Sequence, residues 1–435
     1  MGRILRRAGV GVGILALAAL ASIGWFSLTR GTPLRTVIAV GDESGRVAVH
    51  DTLFGETLEL FTGTHIEPGN TVQPLYNGVE IYPALWRDLR AARQTITVQN
   101  YFSLRSAIAD TASAILRERA RSGVRVLLVL DGFGSQELID QPGYLDSLRV
   151  AGVRVAILRP LHWYNIDKVN NRSHVRATVI DGRVGYTGGY GFADYWQGNG
   201  RREGEWRESG VRVAGPAAAH VQSMFAAAWA EATGQLVTGA LFFPPATFER
   251  AGGVRAGVFF AYPTTGSTPA ERFMALTIAG SQRRLWVTNS YFVPDDDFRG
   301  LLTRAARRGV DVRVLTAGPK SDVKTTTYAA RARYPELLRA GVRIYEYQPT
   351  MMHAKSMTAD GLFAMIGSQN FDNRSLAFNN ESSLVALDRR VAANVDSVFL
   401  ADLAYSEEIT LDKVRRKSLG DRVLEFGANL LSRVL

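Results

Sequence analysis

The feature that most restricts the fold is that the chain contains itself twice. SGVRVLLVLDG (122–132) and AGVRVAILRP (151–160) return as RGVDVRVLTAG (308–318) and AGVRIYEYQP (340–349) at nearly the same offset. QTITVQNYF (94–102) precedes the first pair as RRLWVTNSYF (283–292) precedes the second. Short β-branched runs alternating with helix-like stretches are α/β texture. A repeat of this length means two copies of one α/β unit, not a solenoid. Two copies can face each other across a pseudo-two-fold axis, and a site formed there takes one contribution from each. The expected boundaries are 68–240 and 255–435 for the copies, with a linker at 241–254, a connecting segment at 31–67 and a separate start at 1–30. A chain of 435 residues is long enough for each copy to bury a core.

Two of the six histidines fall at matching places in the copies. In the second, HAKSMTADGLFAMIGSQN carries His353, Lys355 and Asp360, then Gly367, Ser368 and Asn370. In the first, HVRATVIDGRVGYTGGYG carries His174, Arg176 and Asp181, then Gly188, Gly189 and Gly191 at the same spacing. On a strand, residues two apart share a face, so His353 and Lys355 are expected to point together into a cleft. One such motif is commonplace, because a lone histidine is more often a satisfied core residue than a catalyst. Two in register within a duplication reverse that balance. Ser368, Asn370 and Gly189 are expected to contact phosphate, although residues after Gly367 could merely shape a turn.

These paired motifs resemble the signature of the phospholipase D superfamily, and the resemblance runs from about residue 66 to the C-terminus. Within it the chain looks like the cardiolipin synthases, through GTHIEPGNTVQPLYNG, VLDGFGS, WYNIDKVNNRSH, YFVPD and the stretch leading into HAK. The resemblance implies an α/β body of two phospholipase-D-like units and a covalent phosphohistidine intermediate, with no cofactor or metal. It assigns the nucleophile to His174 and the acid to His353, and places acidic partners at Glu208 and Glu381. Asp181 and Asp360, counted with the catalytic set, are expected to hold strands and loops rather than touch phosphorus. Two departures stand out: Arg176 replaces the family's lysine and Gly191 its asparagine. Arginine keeps the charge with a different reach and a planar fork.

The chemistry agrees with that set. Phosphodiester exchange needs a nucleophile, an acid for the departing oxygen, and positive charge around the non-bridging oxygens. One imidazole must attack while the other donates, so the two must be held in different protonation states. The chain has no cysteine, which removes thiol nucleophiles and thiolate metal sites. His50, His65, His162 and His220 show no zinc-hydrolase spacing.

A net charge of +10 suits an anionic membrane, phosphate-bearing substrates or nucleic acid. Ala8 to Leu28 is an uncharged, mainly apolar run of 21 residues, enough to span roughly 30 Å as a helix. It reads as a single-pass anchor in a bacterial inner membrane, or alternatively as a cleaved signal peptide. The arginines around it slightly favour a catalytic body on the outer face. The stretch holding Leu419, Val423, Phe426, Leu430 and Val434 is expected to be an amphipathic helix packed on the body, with surface membrane contact the less favoured use. The resulting expectation is a phosphatidyltransferase acting on phospholipid at a membrane, with phosphatidylglycerol as substrate and no nucleic-acid partner. A hydrolase or nuclease of the superfamily, or a lipid-binding protein with a degraded first motif, is the alternative.

Overall fold

The computed structural model describes residues 34–37, 47–161, 171–264 and 266–431, with a few positions between 15 and 22. The apolar run 8–28 and His162 therefore lie almost wholly or wholly outside the described residues. Among the described residues no helix is long and apolar enough to cross a membrane.

The first copy supplies seven strands: β1 (Glu67–Tyr76), β2 (Thr95–Asn100), β3 (Arg125–Asp131), β4 (Arg154–Leu158), β5 (Ala177–Ile180), β6 (Val184–Gly188) and β7 (Ser209–Ala214). The second supplies β8 (Val254–Ala261), β9 (Arg284–Asn289), β10 (Asp311–Ala317), β11 (Arg343–Tyr347), β12 (Ser356–Ala359), β13 (Phe363–Gly367) and β14 (Glu381–Leu387), followed by β15 (Ser406–Ile409) at the edge. The first copy is ordered β1-β7-β6-β5-β2-β3-β4 and the second β8-β14-β13-β12-β9-β10-β11, so the repeat in sequence is a repeat in topology. In each copy three parallel strands adjoin an antiparallel meander. The copies join edge to edge where β1 pairs antiparallel with β8.

Local chemistry explains the elements. β2 and β3 are buried along nearly their whole length, as parallel strands covered on both faces must be. The helix Ala107–Arg121 starts where Ser106 accepts the Ala109 N–H, and Pro269–Gly280 starts on a capping box between Thr268 and Glu271. One apolar cluster takes Val175, Val179, Val211 and Val213 from the first copy and Val258, Ile366, Leu384 and Val395 from the second. The copies share a core across their junction.

One local expectation is corrected. The His–x–cation residues lie just before β5 and β12, not on them, because their backbone pairs across the copies instead of within a sheet. The helix Leu419–Leu431 forms and packs on the body as expected, but Leu419, Val423 and Phe426 face outward while Glu425 and Ala428 are buried; the Leu430 side chain and Val434 lie outside the described residues. The helix packs on Lys324–Arg339 through its buried side.

Candidate active site

The site forms by an exchange between the copies. Ahead of β5, Ser173 bridges to Asn380, and His174 N–H donates to the Asn380 carbonyl at 2.8 Å. Ahead of β12, Met352 bridges to Arg207, and His353 N–H donates to the Arg207 carbonyl at 2.7 Å. Each histidine segment thus lies beside the residue preceding the other copy's glutamate. His174 Nδ1 is 2.9 Å from Glu381, and His353 Nδ1 is 2.5 Å from Glu208. An ionised carboxylate only accepts, so with the glutamates ionised each Nδ1 carries the hydrogen and each Nε2 is the atom left to a substrate. His174 and His353 line one cavity of about 410 Å³ with Arg176, Asn370, Tyr101 and Tyr291.

The glutamates are held differently. Glu381 accepts from the hydroxyls of Ser368 and Ser375. Glu208 accepts from Trp196 Nε1 at 2.9 Å and from the Ser209 N–H at 2.8 Å. Trp196 stands as far beyond His174 as Ser375 stands beyond His353, so an indole in one copy replaces a hydroxyl in the other. Gly191 makes room for the indole and Gly189 for the carboxylate it holds. A Cβ on Gly189 would lie 2.5 Å from the Glu208 carboxylate, and one on Gly191 would meet the Phe102 carbonyl at 2.3 Å and the Trp196 ring at 2.9 Å. Replacing Gly191 by asparagine, the residue at this position of the second motif, is therefore expected to destabilise the fold by about 1–3 kcal/mol through overpacking. A lowered thermal midpoint with Trp196 fluorescence altered checks this; an unchanged melt would mean the indole is not wedged there.

The other predicted residues fall into two groups. Arg176 and Asn370 line the cavity, and the Asn370 side-chain oxygen has no hydrogen-bond partner among the described residues. The Arg176 guanidinium donates to the carbonyls of His174 and Tyr190 and lies over the Tyr101 ring. Lys355 is fully buried with Nζ 3.0 Å from His353 Nδ1 and 3.1 Å from Nε2. Ser368 and Gly189 do not line the cavity: Ser368 sits behind Glu381, and Gly189 closes against Glu208. In this arrangement the Ser368 hydroxyl is committed to Glu381, and Gly189 brings no side chain. Asp181 and Asp360 are likewise away from the cavity, each in a left-handed turn with its carboxylate accepting three consecutive backbone N–H groups, from Arg93 to Thr95 and from Gln282 to Arg284.

Burial sets the charges. It pushes the His174 imidazole down to about 4, with Arg176 adding to the effect against the pull of Glu381. His353 is pushed well below its ordinary value by burial and then by Lys355. Burial raises Glu208 to about 7 and lowers Lys355 to about 7. Burial thus favours the neutral form of both imidazoles, while Glu208 and Lys355 are each brought toward neutrality and change protonation near pH 7. A phosphodiester entering beside them brings the negative charge that favours a protonated imidazole.

Sequence reasoning missed Trp196, Ser375 and the aromatic wall. Tyr101 lies edge-on to His174 at 4.9 Å, Trp206 is 5.0 Å from His353, and the Tyr291 hydroxyl donates to Asp322 at 2.9 Å. Tyr101 and Tyr291 were findable, since both begin the YF pair that the repeat copies.

Comparison with known proteins places this geometry. The family model described as cardiolipin synthase, PLD-like domain, matches residues 274–403, which include His353 and Glu381. Cardiolipin synthase A of Pseudomonas syringae pv. syringae (strain B728a) is 32% identical over 92% of this chain and 84% of its own. Cardiolipin synthase of Geobacillus kaustophilus (strain HTA426) is 32% identical over 83% of this chain and 72% of its own. The fold is similar to that of phosphatidylserine synthase from Haemophilus influenzae Rd KW20, with a TM-score of 0.65 and 10% identity over 88% of this chain and 99% of that one. With relatives this similar along most of both chains, and the second histidine motif inside the matched domain, the chain belongs to the cardiolipin synthase family of phospholipase-D-like proteins.

Proposed function

We propose that the protein is a phosphatidyltransferase of the cardiolipin synthase type, which takes a phosphatidyl group from phosphatidylglycerol, releases glycerol and passes the group to a hydroxyl of a second phospholipid. The observation that carries this reading is the pair of imidazole–carboxylate couples, each assembled from both copies, over one cavity.

His174 is the nucleophile in this scheme. Glu381 orients its ring through Nδ1 and leaves Nε2 for phosphorus, whereas the His353 ring has the Lys355 amine within 3.0 Å of Nδ1 and 3.1 Å of Nε2. The His174 Nε2 lone pair attacks phosphorus, the bond to the glycerol oxygen breaks, and that oxygen takes a proton from His353. Glu208, pushed up to about 7, and Lys355 keep that proton available at neutral pH. In the second step His353 removes the proton of the acceptor hydroxyl, whose oxygen attacks phosphorus and releases His174. Arg176 and Asn370 supply cation and amide to the non-bridging oxygens. A cavity of about 410 Å³ suits a glycerophosphate head group, so the acyl chains stay at its mouth. The apolar run 8–28 would fix the body to a bacterial inner membrane, with the site on its outer face.

Mass spectrometry of lipids after incubating the purified protein with phosphatidylglycerol tests the reading. Cardiolipin and free glycerol in equal amounts are expected. Phosphatidic acid alone would make water the acceptor and the protein a hydrolase.

A further inference from the structure

The helix Leu419–Leu431 has its polarity reversed with respect to the body. Leu419, Val423 and Phe426, spaced to share one helical face, are 79%, 63% and 68% exposed. The side turned to the protein instead carries Ala428 and Glu425, and Glu425 accepts from Lys417 at 2.5 Å. Water does not favour an apolar stripe left outward while a carboxylate is turned in. We infer that this helix is a membrane-docking surface, whose exposed apolar face enters the interface of a bilayer carrying anionic head groups.

Two features select a lipid surface as the occupant. Arg415, Arg416 and Arg422 are exposed on and just before the helix, giving the apolar stripe basic flanks that complement anionic lipid. The helix also packs on Lys324–Arg339, which begins beside the cavity: Val323 and Thr326 are in its lining. A helix seated in the head-group layer would hold that wall against the layer from which a lipid head group must arrive. The inference needs neither the transferase chemistry nor the N-terminal run, so either can fail without deciding it.

The chain has no cysteine, so Phe426→Cys gives a single labelling position. The full chain carrying an environment-sensitive fluorophore there is placed in nanodiscs of phosphatidylglycerol and phosphatidylethanolamine, with or without lipids bearing a nitroxide high on the acyl chain. Strong quenching by the lipid nitroxide is expected, several-fold greater than for a label at Val150→Cys, an exposed site on the first copy. Val423→Cys, on the same face, should repeat it if the first variant folds poorly. Quenching at 423 and 426 no greater than at 150 overturns the inference, whether the labels stay in water or are covered by protein.

Discussion

Replacing either His174 or His353 with alanine is expected to lower phosphatidyl transfer by about 10³-fold or more, and the double variant should be little worse than either single one. The losses do not add because the imidazoles serve consecutive bonds of one transfer over one cavity. They should differ in what remains. With a substrate whose leaving group needs no proton, His353→Ala should still trap phosphatidyl label on His174 after acid quenching, and His174→Ala should trap none. Label on His353 alone would exchange the two roles. Full activity in both single variants would remove the histidines from the mechanism.

The second large effect crosses the duplication. Glu381→Gln lies in the second copy, yet it should impair the nucleophile of the first, because Glu381 holds His174 Nδ1. A loss of about 10²-fold or more is expected in transfer, with the rate of His174 labelling falling in parallel. Glu208→Gln should spare labelling with the activated substrate and act on the step that needs a proton. The pH profile separates the pair. In the wild type, activity should fall as pH drops toward about 4, where His174 gains a proton and loses its lone pair. It should fall again above about 7, where Glu208 and Lys355 give up the protons that supply the leaving group. These groups lie against one another, so the alkaline limb belongs to the cluster, and Glu208→Gln should move that limb while leaving the acid one in place. A profile flat from pH 6 to 9 would exclude this account of the acid.

Gly189 and Gly191 look in isolation like erosion of the first motif. In the structure Gly191 leaves the space of the Trp196 indole and Gly189 the space of the Glu208 carboxylate that the indole holds. The comparison with Ser375 shows two ways of holding one carboxylate: a small hydroxyl beside full-sized residues, or a large N–H donor beside glycines. The first half of the site is rebuilt, and its histidine keeps the same relation to a glutamate as the second.

The duplication, the α/β class and the two histidines that meet were legible in the sequence, because repetition and alternation are local patterns that survive without coordinates. The turn role of Asp181 and Asp360 was legible for the same reason, as each sits at a fixed distance past its strand. Which glutamate serves which histidine was not. Glu208 follows the first motif in sequence but reaches His353, because the chain segments before β5 and β12 pair across the junction rather than within their own copies. The partner of Ser368 was hidden for a related reason: spacing put it near the histidine, but only the packed site shows its hydroxyl donating to Glu381. The C-terminal helix gives the same lesson at the surface. Its periodicity identified the apolar face of Leu419, Val423 and Phe426, but periodicity says which side chains align, not what covers them. The burial of Ala428 and Glu425 on the other side, a result of tertiary packing alone, decided which way the helix faces.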